Sequence, residues 1–147
     1  MGFRLRVPRA VYEQMLNHAF AEWPLECCGL LAGRVEGERG EVMRLYRLVN
    51  ELASPVEYRS SPRSMFDACR DLSAHGWDVL AVYHSHPTTA PIPSTKDRAA
   101  NYSENVVNLI ISLAEPIGVA AWWLTADSHR PADWEIGDAE PLEPLGR

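Results

Sequence analysis

His84-Ser85-His86-Pro87 and Ser94-Thr95-Lys96-Asp97 place two imidazoles, a hydroxyl and a carboxylate within one short stretch. The apolar run Val79-Leu80-Ala81-Val82-Tyr83 leads into the first group, and residues 77 to 86 read as a β-strand. Side chains on a strand alternate faces, so Leu80, Val82, His84 and His86 are expected on one side. Two residues along a strand span roughly 6.5–7 Å at the backbone, which lets both imidazoles reach one metal ion at about 2.0–2.1 Å. Pro87, Pro91 and Pro93 stiffen the loop that follows. A helix opening at Ser94 then brings Asp97 back toward the histidines in its first turn. Two histidines and one carboxylate leave a tetrahedral position open, the layout of a catalytic rather than a structural zinc site. Each piece alone has an ordinary reading. Ser94 and Asp97 form an S-x-x-D pattern close to a capping box, and a bare H-x-H serves equally as two surface histidines. Their joint arrangement is what points to a metal.

The elements that must hold these groups can be followed along the chain. Phe3 to Val7 reads as a short strand, with Pro8 suited to the first position of a helix. Val11, Tyr12, Met15, Leu16, Ala19, Phe20 and Trp23 then recur at helical spacing up to Pro24. Glu26-Cys27-Cys28-Gly29-Leu30-Leu31-Ala32-Gly33 is apolar on both faces and suits a central strand. Residues 34 to 41 read as a turn, and Val42 to Val49 as an antiparallel partner. A connection from Asn50 to Ser61 is expected to contain a short strand at Val56 to Arg59. Ser61-Pro62 opens a second helix with Met65, Phe66, Cys69 and Leu72 on one face, closing near Gly76. Val106 to Leu113 and Ile117 to Thr125 are apolar strands around a Glu115-Pro116 turn, and Trp134 to Ile136 is a last short strand. The mixture is α+β, a sheet with helices against it. Residues 1 to 137 are expected to form one domain, and residues 138 to 147 a disordered acidic tail.

Composition narrows the function. The 147 residues are 46% hydrophobic and 23% charged, with a net charge of −6 that argues against tracking nucleic-acid phosphates. The three cysteines, Cys27, Cys28 and Cys69, make neither a disulfide framework nor a thiolate zinc motif and read as small buried residues in a reducing compartment. Neither a signal peptide nor a run of about 18 apolar residues is evident, so a soluble cytoplasmic protein without membrane attachment is expected. His18, His75 and His129 have no partner pattern and read as surface or capping groups. Of Trp122 and Trp123, one is expected in the core and the other is available to shelve a substrate tail.

His84-Ser85-His86-Pro87, the seven residues Pro87 to Pro93, and Ser94-x-x-Asp97 together resemble the H-[ST]-H-P-x6-S-x-x-D signature of the JAMM (MPN-plus) metallopeptidases. Glu26 and the small-residue apolar run after it resemble the upstream glutamate segment of that family. The resemblance covers roughly residues 3 to 136, and it implies a cytidine-deaminase-like, mixed and mostly antiparallel sheet flanked by helices. It implies one zinc ion (Zn2+) per chain held by His84, His86 and Asp97, with Glu26 as the proton-transferring base and Ser94 as the hydroxyl that donates to the oxyanion. Asn50, Tyr58 and Ser61-Pro62 are similar to the small stand-alone prokaryotic branch, whose members act on ubiquitin-like or sulfur-carrier proteins. The implied activity is cleavage of an amide or isopeptide bond after a C-terminal Gly-Gly, with an exposed strand edge clamping the tail. The leaving group (a lysine side chain, an amino acid or a peptide) stays open, as does a homodimer. A non-catalytic MPN scaffold that binds ubiquitin-like partners is the alternative.

Overall fold

A computed structural model describes residues 2–138. The chain runs β1 (Arg4–Pro8), α1 (Arg9–Glu22), β2 (Cys28–Glu36), β3 (Arg39–Leu48), α2 (Pro62–Ala74), β4 (Asp78–His86), α3 (Thr95–Ala99), β5 (Val107–Ser112), β6 (Gly118–Leu124), β7 (His129–Pro131) and β8 (Trp134–Gly137). The strands form one sheet in the order β7-β6-β5-β4-β2-β3-β1-β8. Four of its pairings are antiparallel and three parallel, so the expected mixed, mostly antiparallel sheet is observed.

Each face of the sheet buries a separate apolar cluster. Leu5, Val7, Leu31, Leu109 and Ile111 pack with Val11, Met15 and Ala19 of α1. Leu30, Ala32, Leu48 and Val82 pack with Ala68 and Leu72 of α2. β2 contributes to both clusters and is buried from Cys28 to Gly33, which is why its sequence is apolar without alternation. Each fully buried Leu, Ile or Val contributes roughly 1.5–3 kcal/mol, so these two layers stabilise the frame without help from the polar residues of β4.

Several expectations shift. Pro8 ends β1, where it pairs with Gly137, and the helix starts one residue later. Phe20 and Trp23 are more than half exposed, and α1 buries the narrower stripe Val11-Met15-His18-Ala19. The turn expected over residues 34 to 41 shrinks to Gly37-Glu38, because β2 and β3 continue on either side; Gly37 takes a φ of 65°, where a side chain would be strained. Residues 56 to 59 form no strand and lead into an isolated bridge between Asn50 and Ser60. Ser61 caps α2 as read, its side chain accepting from the Ser64 N–H at 3.1 Å, but Phe66 is 62% exposed while Ala68 and Leu72 face the core. β7 has no apolar pattern and was not expected. The tail expected from residue 138 onward lies, beyond Asp138, outside the described residues.

Candidate metal centre

β4 sits inside the sheet, antiparallel to β2 and parallel to β5, and His84 to His86 are its last three residues. Between Leu31 and Ala32 the register with β2 slips, leaving Leu80 as an extra residue on β4. The slip turns Leu80 toward the α1 cluster, against the expectation, and leaves Val82 on the α2 side with Tyr58 and His84.

The atoms that could ligate a metal converge. His84 Nε2 lies 3.1 Å from His86 Nε2 and 3.2 Å from Asp97 Oδ1, and His86 Nε2 lies 3.1 Å from Asp97 Oδ2. A tetrahedral ion with bonds of about 2.0–2.1 Å separates its ligand atoms by about 3.3 Å, close to these edges. All three residues are buried, and among the described residues they are the group whose ligand atoms can share a metal ion. His86 Nδ1 donates to the Ala90 carbonyl at 2.8 Å, so in the neutral imidazole Nε2 is the nitrogen available to a metal. His84 Nδ1 has no partner, and the Tyr58 ring stacks on the imidazole with centroids 4.7 Å apart.

The loop between β4 and α3 is held by its carbonyls. Ser112 Oγ donates to Thr89, His86 Nδ1 to Ala90, and Trp122 Nε1 to Pro91, at 2.7, 2.8 and 2.9 Å. Trp123 is the core tryptophan and Trp122 is the loop's anchor. The loop delivers Ser94, whose Oγ accepts the Asp97 N–H at 3.0 Å while Asp97 Oδ2 accepts the Ser94 N–H at 2.9 Å. This capping box sets Asp97 against the histidines. Because Ser94 Oγ is an acceptor here, its own O–H remains free to donate, and the residue is exposed.

Glu26 is 5% exposed and its Oε1 has no hydrogen-bond partner. Burial pushes its carboxyl up to about 8, with His86 pulling the other way and Asp97 adding to the rise. Asp97 behaves oppositely. Burial acts to raise it, but the hydrogen bonds with His84 and His86 outweigh that and hold it well below the usual carboxylate range. Burial lowers His84, whereas for His86 the bonds to Asp97 and Ala90 overcome burial and raise it. One buried carboxyl biased toward holding a proton thus stands with another that stays ionised.

Sequence reasoning missed other polar contacts around the site. His18, expected at the surface, is 3% exposed, and its Nδ1 lies 2.7 Å from the Tyr83 hydroxyl. Ser85 Oγ accepts the Cys27 N–H at 2.8 Å, tying β4 to the segment entering β2. Asn50 and Tyr58, noted only for their resemblance to one branch of a family, touch Glu26 and His84 respectively. An asparagine at the end of a strand signals a turn and not which backbone groups it will meet.

A family profile described as prokaryotic homologs of the JAB domain matches residues 8–125. The chain is similar to a probable TtuB-protein conjugate cleaving protease of Thermus thermophilus, 38% identical over 97 residues that make up 65% of this chain. That match spans 62% of the Thermus protein, less than two thirds of its length. It is also similar to a desampylase of Haloferax volcanii, 31% identical over 132 residues, covering 86% of this chain and 92% of the desampylase. A protein from Desulfitobacterium hafniense, solved in solution, shares the fold at a TM-score of 0.83 and 33% identity, over 92% of this chain and 94% of its own.

Proposed function

Because the chain belongs to the family of prokaryotic homologs of the JAB domain, we propose that it is a zinc-dependent hydrolase cutting an amide or isopeptide bond after the C-terminal Gly-Gly of a ubiquitin-like or sulfur-carrier protein. The observation that carries this reading is the triangle of His84 Nε2, His86 Nε2 and an Asp97 carboxylate with edges of 3.1–3.2 Å, beside a buried glutamate whose Oε1 is unpartnered. The donor set fits zinc, with two neutral imidazoles, one carboxylate and one position left over. When bound, zinc supplies Lewis-acid polarisation of the scissile carbonyl and lowers the pKa of a coordinated water.

The chain's own residues do the rest. Glu26, buried and with Oε1 unpartnered, takes a proton from the attacking water in its ionised form and returns it to the departing amine. The Ser94 O–H, left free by the capping geometry, donates to the oxygen that gains charge as the carbonyl becomes tetrahedral. Asp97 and the His86–Ala90 hydrogen bond keep the imidazoles aimed at one point. The names of the Thermus and Haloferax relatives, a conjugate-cleaving protease and a desampylase, support conjugates of such proteins as the substrate class.

Tail recognition needs an extended groove that glycine can enter. Beside the histidines β4 has no free edge, since Cys28 of β2 pairs with His84 and Ser112 of β5 with His86. The tail clamp is therefore not an edge of β4 at the histidines. The proposal includes a cytoplasmic setting; among the described residues no helix is long and apolar enough to cross a membrane.

The deciding experiment measures zinc content together with cleavage of a Gly-Gly-tailed ubiquitin-like fusion, for wild type and Glu26→Ala. About one zinc per chain in both, with cleavage after the last glycine lost only in Glu26→Ala, is the expected result. Zinc without cleavage of any such fusion removes the substrate class, and no zinc at all turns the chain into a scaffold.

A further inference from the structure

β2 begins at Cys28, so the backbone of Glu26 lies outside the sheet ladder and must be held by something else. Its N–H donates to the Ser54 carbonyl at 2.9 Å, and its carbonyl accepts from Asn50 Nδ2 at 3.1 Å. Both partners belong to the loop of residues 50 to 60. Asn50 organises that loop. Its Nδ2 donates a second hydrogen bond to the Glu57 carbonyl at 3.1 Å, while its Oδ1 accepts from the N–H groups of Leu52 and Arg59 at 3.1 and 3.0 Å. These four bonds use every donor and acceptor position that an amide side chain has. The loop also reaches the other two elements of the site, through the Tyr58 ring stacked on His84 and through Glu57, 3.8 Å from Lys96 of α3.

We propose that Asn50 is a positioning residue of this site, holding the Glu26 backbone so that its side chain enters the metal pocket in one fixed direction. The inference rests on the reading of Glu26 as the proton-transferring base. Asn50 acts through Glu26 and touches neither substrate nor metal ligands. No other side chain of similar size supplies the same pattern. Aspartate keeps the two acceptor bonds but offers two carbonyls no donor, and alanine keeps nothing. A displacement of about 1 Å at a catalytic group can cost about 100-fold in rate.

The test compares wild type, Asn50→Asp and Arg59→Ala. Arg59→Ala removes the loop's ion pair with Glu51 and leaves all four Asn50 bonds in place. Amide hydrogen exchange is followed at Glu26, zinc is counted, and kcat and KM are measured on a Gly-Gly-tailed fusion. In Asn50→Asp the Glu26 amide is expected to exchange at least about ten-fold faster while amides of β5 keep their protection. Zinc stays at one per chain, and kcat falls about 10- to 100-fold with KM within about three-fold. In Arg59→Ala both exchange at Glu26 and kcat stay within about two-fold of wild type. Unchanged exchange and kcat in Asn50→Asp, or equal losses in both variants, overturn the assignment. Should the wild type cleave no fusion, the functional reading fails separately; exchange at Glu26 then upholds the tie if faster in Asn50→Asp and overturns it if unchanged.

Discussion

On one face of β4, His84 and His86 bring two imidazole nitrogens within 3.2 Å of each other and of Asp97; through the opposite face, Tyr83 brings its hydroxyl 2.7 Å from His18 Nδ1. Both sets are buried and both are built on neighbouring residues of β4, yet their hydrogen bonding differs. The His18–Tyr83 pair is complete: the ring of Tyr83 lies where a Cβ on the paired Gly29 would be only 2.2 Å away, so the glycine makes the passage for the phenol. Across the strand, His84 Nδ1 and Glu26 Oε1 have no partners, and two Nε2 atoms point at each other. Buried polar groups are nearly always satisfied, so the finished pair is a structural device and the unfinished set is where chemistry is to be sought.

The sharpest way to break this comparison is Asp97→Asn. The substitution removes the anionic ligand while retaining much of the capping geometry of α3. Cleavage is expected to fall at least about 1000-fold with zinc no longer retained, because both the Lewis acid and its water are lost. With a chelator present so that both proteins are metal-free, unfolding free energy should change by no more than about 1 kcal/mol, the scale of a helix cap. Zinc content, cleavage rate and urea unfolding on one preparation check all three. A collapse in stability of several kcal/mol would mean that the site face also holds up the fold.

Tyr83→Phe makes the reciprocal attack. It strands His18 in the core without a partner, at a cost of about 1–3 kcal/mol. The ring remains, so the packing over Gly29 is preserved and kcat should stay within about two-fold. Urea unfolding and initial-rate kinetics separate the two effects. If kcat drops while stability holds, the faces of β4 are coupled and the division is wrong.

What the sequence revealed follows the same division. The convergence of His84, His86 and Asp97 was legible because its signal is local: with Ser94 they fall within one strand, one loop and one helical turn, and their joint spacing points to a metal. Glu26 enters as a candidate base only through family resemblance, since a glutamate before an apolar strand is unremarkable, and its burial shows only in the fold. The apolar strands β2, β4 and β5 were visible because burial on both faces leaves a composition signal. Features that depend on partners far along the chain stayed hidden. The register slip that turns Leu80 away from Val82 is set by β2, and His18 is buried by a phenol 65 residues away. β7, which is exposed throughout, exists through its pairing with β6 and carries no pattern of its own.

The smallest effect expected is a pH dependence that belongs to the finished face. Burial lowers the His18 pKa to about 4, with the charge of Arg47 on β3 adding to the shift, against 6.5 for the exposed imidazole. The unfolded chain therefore takes up this proton first as pH falls. The contribution is fully present above about 6.5, is lost progressively between 6.5 and 4, and is constant below that. Between pH 7 and 5.5 the loss amounts to about 1 kcal/mol from this residue. Other carboxyls and imidazoles titrate over the same range, so the quantity to measure is the difference between wild type and His18→Asn. Asparagine places an amide near the position of Nδ1 and cannot ionise, so its unfolding free energy should fall less steeply over this interval by that amount. Parallel pH profiles for the two proteins would mean that the core admits the imidazolium, and the contrast between a closed face and an open one would lose its electrostatic half.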